Sequence, residues 1–177
     1  MQSLGLLLEQ APDPKAGYHR NETEIPRPAH PLSHTLLRLW RKHHGSVVVG
    51  RDLPSRGTER LLPYLALFEY RDHRCDFLVR LAGFALHRRF GRDIAHHYLA
   101  DLLLQPELNN TRESLLDVLD TGIPQYRDVK IRNGSGPVLH HETILLRAWS
   151  ADRRKQLVVG GYFFFDGTRK VNHPVLC

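Results

Sequence analysis

The sequence predicts an α+β domain in which one antiparallel sheet of five strands carries short helices on one face. Three observations lead there. Two apolar, β-prone stretches, residues 64–70 and 75–81, are separated only by the polar turn Arg71-Asp72-His73-Arg74 and read as a hairpin. Helical segments punctuated by Gly83, Gly91 and Gly122 come next. Three further strand patterns, residues 125–132, 138–149 and 156–165, then complete the chain, joined by turn-like linkers at 133–137 and 150–154.

Composition sets the class. A chain of 177 residues, 41% hydrophobic and 25% charged, suits one globular domain with an appended arm. No run reaches the roughly 18–20 apolar residues of a membrane-spanning helix, and Leu4-Gly5-Leu6-Leu7-Leu8 has no preceding Lys or Arg, so a cytoplasmic protein without a membrane partner is expected. The net charge of +6 is spread among acidic residues, without a helix-turn-helix, zinc-finger or aromatic RNA-binding pattern, and no nucleic-acid partner is expected. Cys75 and Cys177 make no disulfide framework, and Cys75, inside a strand pattern, is expected to be buried as a small hydrophobe.

Taken in order, residues 1–31 carry Pro12, Pro14, Pro26, Pro28 and Pro31 and are expected to form an extended arm outside the core. Residues 32–45 hold an amphipathic helix, capped by Ser33 and stopped at Gly45, with Leu36, Leu37 and Trp40 along one side. That apolar side must be covered by the sheet or by a second copy. The domain proper is placed at 46–166, with a loose polar tail at 167–177. Period two puts Cys75, Phe77, Val79 and Leu81 on one face of the second strand, and Asp76 and Arg80 together on the other, within reach of a side-chain pair. Gly83 ends that strand, residues 85–90 form one short helix, and Asp93 starts the next. Asn110 with Glu113 resembles a capping box opening the longest helix, which buries Leu115, Leu116 and Leu119 before Gly122 and Pro124.

Two strands, short helices with one longer one, then three antiparallel strands is the element order of the PAS fold. With Leu39-Trp40-Arg41, Arg51-Asp52, Leu61-Leu62-Pro63, Arg80-Leu81-Ala82-Gly83, Phe90-Gly91-Arg92-Asp93 and Thr121-Gly122-Ile123-Pro124, the chain resembles the small single-domain PAS family common in alphaproteobacteria. It departs from that family in the long polar arm and in residues 51–60. The resemblance implies strand order 2-1-5-4-3, numbered along the chain, and a cavity between the sheet and its helices. It also implies a sensory or regulatory module of bacterial signalling that binds a small molecule or a protein partner. A ligand-free adaptor acting through protein contacts is the alternative.

On that basis Phe77, Val79, Leu81, Leu115, Leu119, Ile144, Leu146 and Phe163 are the residues expected to line any cavity, with plain core as their first role. Arg80 is expected to pair with a carboxylate such as Asp76 or to anchor an acidic ligand. Leu36, Leu37 and Trp40 are expected at a homodimer interface. The twelve histidines include the pairs His43-His44, His96-His97 and His140-His141, but adjacent residues diverge in direction and no metal site is expected. The long helix has no histidine for haem, and Cys75 is not in a helix as a flavin-reactive cysteine would be, so no cofactor is expected. No phosphate loop, nucleophile elbow or cysteine–base pair points to catalysis.

Overall fold

A computed structural model describes residues 18–165 apart from Gly134, Gly136 and Pro137. The expected tail at 167–177 and the first part of the arm lie outside the described residues. The elements are β1 (Tyr18–Glu24), α1 (Pro31–Lys42), β2 (Val47–Val48), β3 (Leu65–Arg71), β4 (Asp76–Ala82), α2 (Phe84–Phe90), α3 (Leu99–Leu102), α4 (Glu107–Thr121), β5 (Gln125–Asn133), β6 (Leu139–Trp149) and β7 (Gln156–Phe164). The sheet runs β1-β5-β6-β7-β3-β4, with β2 alongside the end of β6. The five expected strands, β5-β6-β7-β3-β4, have the expected order and are antiparallel. Seven strands replace the five expected.

Both additions come from the N-terminal side. Residues assigned to an arm outside the domain form β1, which pairs along its length with β5, from Tyr18 opposite Asn133 to Glu24 opposite Arg127. Arg20 and Arg127 sandwich Glu22 at 2.9 and 2.8 Å, which fixes β1 through alternating charge rather than apolar burial. β2 pairs in parallel with the end of β6, Val47 opposite Ala148, beyond the point where β5 stops. The other sheet edge, β4, is covered by residues 94–98, for the Val79 amide donates to His97 O and the His96 amide to Val79 O.

The sheet is buried on both faces. On one, α1 packs Leu36 and Leu37 against Ile144, Leu146, Val159 and Phe163. On the other, α2, α3 and α4 cover Phe68, Phe77, Val79, Leu145 and Val158 with Leu86, Leu99, Leu115 and Val118. This placement corrects the dimer expectation, because Leu36 and Leu37 are 2% and 4% exposed and Trp40 donates its indole N–H to Arg147 O at 2.9 Å. The chain's own sheet covers the helix face offered to a second copy.

α1 begins at Pro31, ahead of the expected cap at Ser33. Its cap is His30, whose Nδ1 accepts from the Leu32 amide, while Ser33 is buried inside the first turn. The buried Glu142 carboxylate of β6 accepts the Ala29 and His30 amides at 2.7 and 3.2 Å and pins the entry to the helix. Glu142→Ala leaves both donors without that acceptor and is expected to cost about 2 kcal/mol in urea unfolding. Amide exchange in α1 should quicken before that in α4, and equal acceleration in both helices would show that Glu142 is not specific to α1.

Three further expectations change. α4 starts at Glu107 after Pro106, so Asn110 lies within the helix and serves as a backbone acceptor for Ser114 rather than as a cap. The segment after Asp93 is irregular chain that meets β4 at the Leu78–Tyr98 bridge, and Leu99–Leu102 is its helical part. Cys75 is exposed, in a left-handed turn conformation (φ 49°) after a 3-10 turn at Asp72–Arg74, because both strands of the hairpin lie one residue later than the apolar pattern suggests and the connection runs from Asp72 to Cys75.

Candidate functional site

A partly enclosed cavity of about 110 Å³ lies between the sheet and α2–α4. Phe68, Val79, Leu86, Ile94, Leu99 and Leu102 supply apolar walls. α2 reaches the sheet because Gly83 turns β4 directly into the helix, with the Leu86 amide donating to Gly83 O at 2.9 Å. His87 then ties the wall together. Its Nε2 meets Ala82 O at 2.9 Å, and its Nδ1 stands 3.1 Å from both the Ile94 amide nitrogen and Asp93 Oδ1, which holds Ile94 in place.

The polar part of the cavity comes from four strands and helices. His141 of β6 is 7% exposed, and its Nδ1 is buried without a hydrogen-bond partner. Burial first, then the Arg20 and Arg89 cations, depress its imidazole to a pKa of about 3, so it is neutral at physiological pH. Tyr162 of β7 stands beside it, ring centroids 6.4 Å apart. Burial pushes the Tyr162 hydroxyl above its ordinary range. Arg20 of β1 reaches over the cavity to Glu107 at the start of α4, Nη1 to Oε1 2.6 Å, and also binds Glu22. Burial raises the Glu107 carboxyl despite Arg20, and the neighbouring Glu22 adds to the rise.

Tyr162 lies back over Gly160. A Cβ at Gly160 would stand 2.9 Å from Tyr162 Cε2 and from Phe68 Cε2, so the absence of a side chain there makes room for two cavity-lining rings.

Among the residues expected to line the cavity, only Val79 does so. Phe77 and Leu115 are fully buried in the adjoining core, and Leu119 packs partly buried against it. Ile144, Leu146 and Phe163 belong to the opposite, α1-covered face, because they alternate with Thr143, Leu145 and Tyr162 along their strands. Leu81 is 58% exposed on that opposite side. The cause is a bulge: Phe68 pairs with Val79 but Leu67 with Leu81, so Arg80 is an extra residue that reverses the phase of β4. Arg80 consequently pairs with Glu69 of β3 rather than Asp76. Glu69 also binds Lys155 at 2.8 Å and Arg71 at 3.3 Å. Burial raises the Glu69 carboxyl, yet these cations outweigh it and hold it below the usual range. Asp76 instead accepts from Arg112 of α4 and the Ala100 amide, at 2.9 and 3.0 Å.

The residues that sequence reasoning missed are Arg20, Glu107, His141 and Tyr162. The His140-His141 pair contained a usable signal, since alternation forces one of two neighbours inward. His140 faces Asp128 and Phe165 while His141 faces the cavity. Arg20 left no such trace, because nothing local marks β1 as part of the sheet.

A mixed sheet-and-helix domain with a small cavity beneath its short helices is the PAS class of architecture. The PAS domain family model matches residues 29–163, most of the chain. The chain belongs to this family, whose members are generally non-catalytic sensory or regulatory modules. No curated protein matches it. β1 and its Arg20 lie outside the matched region. No helix among the described residues is long and apolar enough to cross a membrane, and no group of three or more potential metal ligands occurs among them.

Proposed function

We propose that the chain is a PAS-type sensory module of bacterial signalling that receives a small molecule in the cavity between the sheet and α2–α4. The observation that carries this reading is the His141 imidazole, buried at the cavity wall with Nδ1 unpaired. An unpaired buried polar atom costs about 1–3 kcal/mol, and a bound polar group offsets that cost. Native mass spectrometry of freshly purified protein tests it: a co-purifying small molecule supports sensing, whereas only the bare chain mass across several preparations counts against it. In Gly160→Ala the new Cβ drives Tyr162 or Phe68 into the cavity, so the co-purifying mass is expected to disappear from a still-folded protein. Its retention would place the ligand elsewhere.

A second reading, a ligand-free adaptor, draws on a different surface. An open groove of about 530 Å³ on the other side of β3 and β4 is flanked by Leu81 and Phe84, 58% and 61% exposed. Its ionisable lining residue, Glu59, is exposed, so it lacks the buried polar group that marks the cavity as a ligand site. Exposed apolar residues beside a groove suit a protein partner or a second copy. Light scattering at high concentration distinguishes them, since homodimerisation through this groove predicts a doubled mass that Phe84→Ser abolishes.

A further inference from the structure

β1 is an edge strand. Among the described residues it pairs with β5 on one side and with no strand on the other. The Ile25 amide donates to Tyr126 O at 3.0 Å, and antiparallel hydrogen-bonded pairs recur at every second residue. Thr23, Asn21 and His19 therefore bond β5, while the backbone N–H and C=O groups of Tyr18, Arg20, Glu22 and Glu24 point away from it. Such a row of donors and acceptors is a template for another strand. The opposite edge, β4, is already covered by residues 94–98.

We propose that the outer edge of β1 is closed by β1 of a second copy of this chain, antiparallel about a twofold axis at Asn21. The order of charges selects that partner. A twofold at Asn21 sets Arg20 opposite the partner's Glu22 and Glu22 opposite the partner's Arg20. It also sets outward-bonding residues opposite outward-bonding residues, as the ladder requires. Moving the axis one residue either way keeps that parity but opposes Glu22 or Arg20 to its own copy, and like charges directly opposite are destabilising. Charged side chains ordinarily protect an edge from pairing, whereas these are self-complementary in one register. Arg20 and Glu22 already pair along the strand at 2.9 Å, so the four side chains form a ring of alternating charge about the axis. On the other face Asn21 meets the partner's Asn21, amide to amide. This assignment is independent of what the cavity holds.

Asn21 is exposed in the single chain, so its variants report on the edge rather than on the fold. Analytical ultracentrifugation of the full chain up to about 1 mM is expected to show a monomer–dimer equilibrium that weakens as salt rises. Asn21→Lys opposes two like charges and should weaken the dimer about fivefold, with the urea midpoint of the dilute protein unchanged. With Cys75 and Cys177 replaced by Ser, Asn21→Cys should form an intermolecular disulfide on mild oxidation at least tenfold faster than Thr23→Cys. The two copies of residue 21 would have Cα atoms about 4.5 Å apart, within disulfide reach, and those of residue 23 about 13 Å apart. A monomer across the whole concentration range, a dimer indifferent to Asn21→Lys, or equal cross-linking at 21 and 23 overturns the assignment. Loss of the dimer in Phe84→Ser moves the association to the groove beside β3 and β4 and overturns it as well.

Discussion

Gly83→Ala is expected to be the most damaging single methyl addition in the chain, costing about 4 kcal/mol or more and leaving little folded protein at 37 °C. A Cβ at this position would lie 2.1 Å from Leu62 O and 2.3 Å from the Pro63 carbonyl carbon. These are backbone atoms of the turn leading into β3, so no rotamer change relieves the overlap. Gly83 is also bound in place, its amide donating to Leu65 O at 2.8 Å. The turn before β3, the end of β4 and the start of α2 therefore meet at one point. Chemical denaturation measures the effect, and a loss under about 1 kcal/mol would mean that the 62–65 segment yields more readily than its hydrogen bonds suggest. Gly57→Ala provides a comparison, since Gly57 also has a left-handed conformation (φ 88°) but a Cβ there would meet nothing within 4 Å.

The second large effect is a loss of stability on mild acidification that belongs to one residue. The folded His141 has a pKa of about 3 against an ordinary 6.5. Below pH 6.5 the unfolded chain takes up a proton that the folded protein refuses, so stability falls as pH drops and continues to fall until about pH 3. Between pH 7 and pH 5 the expected loss is about 2 kcal/mol. The cations facing His141 are Arg20 from β1 and Arg89 from α2, with Glu22 opposing them and His140 adding slightly. The carboxylates held low, Asp52, Asp76 and Glu69, act in a different window. Burial raises Asp76 and Glu69, but paired cations and amides outweigh it; for Asp52 the Arg51 hydrogen bond dominates. Their stabilisation is complete above the ordinary carboxylate range and disappears only as pH falls through their lower folded values. Glu107, raised, works in the opposite direction near that same range. In His141→Gln the loss between pH 7 and pH 5 should shrink to under about 0.5 kcal/mol. A variant that keeps the full slope would assign it to other groups.

Most of the strand architecture was legible because it depends on local pattern. The hairpin, the three closing strands and the glycine-stopped α2 and α4 each carry their own signal in composition and period. The candidate site was less legible, and three physical causes account for it. A single bulge at Arg80 inverts the phase of everything after it in β4, so Leu81 left the face that Phe77 and Val79 share. Burial of the sheet on both faces removes the polar alternation that would have separated Val79 and Tyr162 from Ile144, Leu146 and Phe163. The third cause is long range: Arg20 reaches Glu107 across 87 positions of sequence, and nothing in a polar strand such as Tyr18–Glu24 announces its partner. Arg80 shows the same limit, since its carboxylate was expected within the strand and was supplied by its neighbour.

The two glycines of β7 make the centre of the sheet thin. Tyr162 folds over Gly160 toward the cavity, and Phe163 folds over Gly161 toward α1, where a Cβ would come within 2.7 Å of its ring. Phe163 in turn stacks on His30, the cap of α1, at a centroid distance of 5.4 Å. Consecutive residues of one strand thus hold the cavity on one side and the first turn of a helix on the other. One peptide of β7 separates the ring packed beside the cavity from the ring packed on the α1 cap.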